Sequence, residues 1–91
     1  MYRISLVCSG LPKEAGKEAA VDITQEFKQH RQWHENVSCS WDGSELKLVA
    51  ENDFDNDGQA LLDEFGDCIS AYVAEYFDSK IEIEAVTEIK C

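Results

Sequence analysis

Apolar and polar residues alternate from Tyr2 to Cys8, with Ile4, Leu6 and Cys8 on one side and Arg3, Ser5 and Val7 on the other. That period of two predicts a half-buried strand over residues 2–8. Ser9, Gly10, Leu11 and Pro12 then turn the chain, and a proline suits the first position of a helix. Over residues 12–31 the period changes: Gly16, Ala19, Ala20, Ile23, Phe27 and His30 recur at helical spacing and form one buried stripe. Lys13, Lys17, Lys28 and Arg31 make a basic ridge beside it, with Glu14, Glu18, Asp22 and Glu26 beyond. Alternation returns over residues 33–41 and 44–50, split only by Asp42 and Gly43. This predicts a hairpin with a two-residue type I′ turn. Its register would set Trp41 opposite Ser44, Cys39 opposite Leu46, Val37 opposite Leu48 and Glu35 opposite Ala50 on the inner side. His34 would then lie opposite Glu51 on the outer side, as a cross-strand pair. A second amphipathic helix is expected over residues 58–79, burying Leu61, Phe65, Cys68, Ile69, Tyr72, Val73 and Tyr76. Residues 81–85 close the chain as a strand, with Ile81, Ile83 and Ala85 inward and Glu82 and Glu84 outward.

Strand, helix, strand, strand, helix, strand is an α+β order with its single hairpin at the centre and no linker, so residues 1–91 form one domain. The pattern resembles the ferredoxin-like βαββαβ superfold, which implies a four-stranded antiparallel sheet with two helices on one face. The resemblance spans the whole chain but is architectural, and superfolds host many unrelated activities.

Composition narrows the function. The 91 residues are 44% apolar and carry a net charge of −11, which fits a folded acidic domain rather than a disordered one. Nucleic acid is disfavoured, because phosphate binding needs clustered Lys and Arg. A basic protein partner, a cation, or solubility alone would each account for the charge. No stretch has the ~18 apolar residues of a membrane span and the first residues do not form a signal peptide, so a cytoplasmic location is expected. The four cysteines, at 8, 39, 68 and 91, include no Cys-x-x-Cys pair, so no zinc or thioredoxin site is indicated. Cys8, Cys39 and Cys68 sit in apolar patterns and read as core residues, and Cys91 as the exposed thiol.

The sharpest local pattern is Asp53, Asp55, Asp57, Gly58 and Glu64. It resembles the EF-hand calcium loop, D-x-[DN]-x-[DN]-G-x5-E. The resemblance implies calcium ligands from Asp53, Asp55 and Asp57, the backbone carbonyl of Gln59 and a bidentate Glu64. The sequence departs from the pattern in three respects: a strand precedes the loop, Ala60 and Leu61 occupy the eighth and ninth positions, and no second loop exists to pair with it. The competing reading is a helix N-terminus whose acids complement the dipole, with Asn56 and Gln59 as a capping box.

The loop heads a tract from residue 48 to 79 that holds nine acids and no Lys or Arg. Asp63, Glu64, Asp67, Glu75 and Asp78 share the outer arc of the second helix and form either a docking surface for a basic partner or a solvated face. In size and charge the chain is similar to the bacterial immunity proteins, small acidic domains that neutralise a basic toxin or nuclease. His30 reads as a core histidine. No nucleophile stands beside an identifiable base. The expectation is a non-enzymatic acidic interaction domain, a monomer or weak homodimer, that binds a basic protein as an inhibitor or immunity-type protein. The alternative is a calcium-binding domain using residues 53–64.

Overall fold

The computed structural model describes residues 1–73 and 79–89. The first alternating run forms β1 (Tyr2–Ser9) and the first amphipathic segment forms α1 (Lys13–His30). Pro12 precedes the helix rather than opening it: with φ −59° it occupies the cap position, where its carbonyl accepts from the amides of Ala15 and Gly16. The hairpin consists of β2 (Glu35–Trp41) and β3 (Leu46–Asn52), followed by α2 (Gln59–Tyr72) and β4 (Lys80–Glu88). The strands are ordered β2-β3-β1-β4, each antiparallel to its neighbours. This is the ferredoxin-like fold. Its hairpin-joined strands β2 and β3 lie side by side, and each helix carries the chain across a strand between two parallel ones.

One core fills the space between sheet and helices. Ile4, Leu6 and Cys8 of β1 and Leu46, Leu48 and Ala50 of β3 meet Ile23 and Phe27 of α1 and Leu61, Phe65 and Ile69 of α2. Trp41, at the end of β2, lies against the backbone of α1 at Gly16, where a Cβ would overlap its six-membered ring. The hydroxyl of Thr24 reaches the Cys39 carbonyl at 3.4 Å and ties the same helix to β2.

The hairpin register differs from the expected one by two residues. Trp41 pairs with Leu46, Cys39 with Leu48 and Glu35 with Glu51. The cause is Asp42, whose Oδ1 accepts from the amides of Ser44 (2.8 Å) and Glu45 (2.7 Å). This Asx turn makes Gly43 and Ser44 the central residues, and Gly43 takes φ +104°. A one-residue slip would have exposed Leu46 and Leu48, each worth ~1.5–3 kcal/mol when buried. A two-residue slip keeps every residue on its face, so hydrophobicity does not oppose it. The hairpin is also irregular between Glu35 and Ser38, where Asn36 adopts φ +50°.

Two other expectations are corrected. In β4 the pairing with β1 shifts between Ser5 and Leu6. The resulting bulge exposes Ala85 and turns Val86 toward the core, so Ile81, Ile83 and Val86 form the inner set. The second helix stops at Tyr72, because Val73 is extended (φ −118°, ψ 114°) and buried. Tyr72 itself is exposed, and Tyr76 lies outside the described residues.

Candidate functional site

The densest polar arrangement joins residues 31–34, after α1, to the start of α2. His34 donates its amide to the Arg31 carbonyl at 3.3 Å. In this tight turn Trp33 is exposed while the imidazole of His34 is fully buried. The rings of Phe27, Trp33 and Phe54 surround that imidazole at centroid distances of 5.5, 6.0 and 5.9 Å.

Its nitrogens are both engaged. Asn52 uses Oδ1 to accept from the amides of Phe54 (3.2 Å) and Asp55 (2.8 Å). Its Nδ2 therefore donates to Nδ1 of His34 at 3.1 Å. With Nδ1 an acceptor, Nε2 of the neutral ring carries the hydrogen and donates to Oε2 of Glu64 at 2.5 Å, a tautomer assigned from this network. The other oxygen of Glu64 accepts from Nη1 of Arg31 and Nε1 of Trp33, each at 3.1 Å. Burial works against the Arg31 charge more than any other single influence, but the Glu64 hydrogen bond and the nearby negative charges of Glu64 and Glu26 together outweigh it and raise the guanidinium pKa above its ordinary value. The same guanidinium lies 5.7 Å from the Phe27 ring centre. Glu64 is thus the lock that fastens three consecutive-turn donors from one loop to a helix thirty residues later.

The loop at 53–58 is arranged as a helix cap. Asp55 is buried, and its two oxygens accept from the amides of Ala60 (3.1 Å) and Leu61 (2.9 Å). Asp57 accepts from the Gln59 amide at 3.1 Å. Gly58 takes φ +78° with its α-carbon over Ile4, Ile83 and Val86, a backbone that only glycine adopts without strain at such close approach. The capping carboxylate is therefore Asp55, and the expected box between Asn56 and Gln59 is not the device used. Of the five residues expected around calcium, Asp53, Asp57 and Gln59 are exposed, Asp55 is turned under the helix and Glu64 faces residues 31–34. The described residues bring no three His, Cys, Asp or Glu side chains together as a metal-holding group.

The histidines exchange their expected places. His30 is exposed in the last turn of α1, and His34 is the buried one. Glu51, expected opposite His34, instead accepts from Nδ2 of Asn36 at 2.7 Å and pairs with Nε of Arg3 at 2.8 Å. These two donors hold its carboxyl below the ordinary carboxylate range. Burial raises the thiol pKa values of Cys8, Cys39 and Cys68, that of Cys39 to about 12, so all three behave as core groups.

Surface charge separates by face. On the sheet side, Arg3 pairs with Glu51, Lys47 with Glu84 and Lys80 with Glu82, all at 2.8 Å. On the helical side, Asp63 and Asp67 of α2 and Glu14, Glu18 and Asp22 of α1 are exposed, and none has a cation within 4 Å among the described residues. Tyr72 of α2 donates to Glu26 of α1 at 3.3 Å, so the Asp22 and Glu26 flank of α1 faces α2. Lys28 borders Cys39 and Val37 on the opposite flank. Of the basic ridge, Arg31 pairs with Glu64 of α2, whereas Lys28 lies along β2, and among the described residues no ridge lysine pairs with Asp63 or Asp67. Of the five partner-binding acids named from the sequence, Asp63 and Asp67 are free at the surface, Glu64 is engaged in the lock, and Glu75 and Asp78 lie outside the described residues.

Sequence reading missed Arg31, Trp33 and Asn52. No spacing rule links the first two to Glu64, which is 33 and 31 residues away. Asn52 was legible in part, since an Asn directly after a strand commonly opens an Asx turn.

Compared with family models and with curated proteins, the chain matches none. Among the described residues no helix is long and apolar enough to cross a membrane.

Proposed function

We propose that the protein is a non-enzymatic interaction domain whose helical face docks on a basic protein, in the manner of an inhibitor or immunity-type protein. The observation that supports this reading is the uneven pairing of charge. Glu51, Glu82 and Glu84 on the strands pair with arginine or lysine, whereas Asp63, Asp67, Glu14, Glu18 and Asp22 on the helices have no such partner among the described residues. Clustered unpaired carboxylates raise the negative potential over that face and speed encounter with a basic surface, an effect that salt screens.

Calcium binding by residues 53–64 would demand more of the fold. Asp55 would have to surrender both helix-capping amides, and Glu64 its three donors. Docking through the helical face needs no such rearrangement.

The test is charge reversal of Asp63, Asp67 and Glu75 to Lys. Capture of a basic partner at low salt should be lost, with the association rate of the wild type falling steeply as salt is added. Retention of the same partner by the reversed protein would refute the reading.

A further inference from the structure

The two free edges of the sheet are built differently. The edge at β4 is guarded: Lys80, Glu82, Glu84 and Glu88 are charged, and a bulge interrupts it. Charges and bulges are how proteins keep an edge from pairing with another chain. The β2 edge lacks this protection from residue 37 onward. Its sequence Val-Ser-Cys-Ser-Trp has no charge and pairs regularly with β3 from Ser38 to Trp41. Among the described residues no strand pairs with the outer side of β2.

We propose that β2 is a dimerisation edge, where two copies of the chain pair antiparallel about a two-fold axis at Cys39 and form one eight-stranded sheet. The segment is self-complementary about that point. Val37 of one copy meets Trp41 of the other, Ser38 meets Ser40, and Cys39 meets itself. Apolar residues then face apolar ones on the inner side and serines face serines on the outer, as an isologous interface requires.

The neighbouring helix carries the same symmetry. A groove of about 620 Å3 opens between α1 and β2, and both Val21 and Cys39 line it. Val21 is 63% exposed, the most exposed large apolar residue described. Glu14 and Lys28 stand seven residues before and after it, on nearly the same stripe because a heptad drifts only ~20° on a helix. The two-fold axis through the groove sets the two α1 helices antiparallel. Val21 then packs on Val21, and Glu14 of each copy comes level with Lys28 of the other. The unpaired acids of α2 lie on the far flank, while Lys28 lines this one. It is thus the side on which two chains of net charge −11 repel least.

Sedimentation of the full chain from micromolar to millimolar concentration tests the proposal. The wild type is expected to show a concentration-dependent dimer. The double change Ser38→Lys with Ser40→Lys sets like charges across the axis and should weaken the dimer at least about tenfold. Ser38→Lys with Ser40→Glu sets opposite charges there and should restore it. Both positions are exposed, and an unchanged thermal midpoint of the dilute protein confirms that the fold is intact. Glu14→Lys should likewise weaken the dimer and regain it with Lys28→Glu. A wild type that stays monomeric throughout, or a doubly lysine-substituted protein that dimerises as well as wild type, would overturn the proposal. So would an oppositely charged pair that fails to rescue.

Discussion

Replacing Glu64 by Ala removes the acceptor shared by Arg31, Trp33 and His34. The three donors do not suffer equally. The His34 side chain is 0% exposed and so cannot exchange its lost partner for water; an unsatisfied buried donor costs about 1–3 kcal/mol. Arg31 has 23% of its side chain exposed and Trp33 is 53% exposed, so solvent replaces most of what they lose, leaving about 0.5 kcal/mol each. The expected destabilisation is therefore about 2–4 kcal/mol, or a fall of roughly 10–25 °C in Tm for a domain of this size. Glu64→Gln should lose about half as much, since one amide oxygen still accepts while its N–H2 faces a donor. Urea unfolding followed by tryptophan fluorescence measures the loss, with an unchanged m-value showing that the unfolded state is unaltered. The indole N–H resonance of Trp33 should move in the same variant. The exposed neighbour Asp63→Ala is the control, expected within about 0.5 kcal/mol of wild type. If Glu64→Ala lies within about 1 kcal/mol of that control, the lock is wrong. It is equally wrong if a calcium chelator destabilises the wild type as much as the substitution does, because Glu64 would then act through a metal.

Other outcomes test the packing and the polar contacts separately. Gly16→Ala should destabilise by about 1–3 kcal/mol despite alanine's better helix propensity, because the added Cβ overlaps Trp41; denaturation of this variant and of its combination with Trp41→Leu should show strong non-additivity. Asp55→Ala should cost about 1–2 kcal/mol and lift hydrogen-exchange protection at Ala60 and Leu61 first, since the carboxylate caps both amides. The Glu51 carboxyl, held low by Asn36 and Arg3, should titrate below its ordinary value of 4.5 by NMR. Because the folded value is the lower one, its contribution is complete above the unfolded value and is lost as pH falls through the folded one. Acid unfolding should therefore begin earlier in Asn36→Ala and Arg3→Ala, and a Glu51 midpoint unmoved by either change would refute the assignment.

What the sequence alone determined was periodicity and its consequences. Ile4, Leu6 and Cys8, the α1 stripe from Gly16 to Phe27, and Leu61, Phe65, Cys68, Ile69 and Val73 bury as their spacing requires, and that is sufficient for the order of elements and for the ferredoxin-like fold. Periodicity survives a register shift of two, so it placed Leu46 and Leu48 on the correct face while assigning them the wrong partners. The finer choices belonged to the tertiary structure. Asp42 selected the turn through its own carboxylate, and the β4 bulge exchanged Ala85 for Val86. His34 went inside and His30 out because only His34 meets both Asn52 and Glu64. The acidic loop shows the division most clearly. Its spacing matched that of a calcium site, yet spacing along the chain does not say which way a carboxylate points. In the fold Asp55 meets the free amides of the helix that follows it, and Glu64 meets three donors that precede it by thirty residues or more. A polar side chain is committed by whichever partners surround it once the chain has folded, and for Glu64 those partners are remote in sequence.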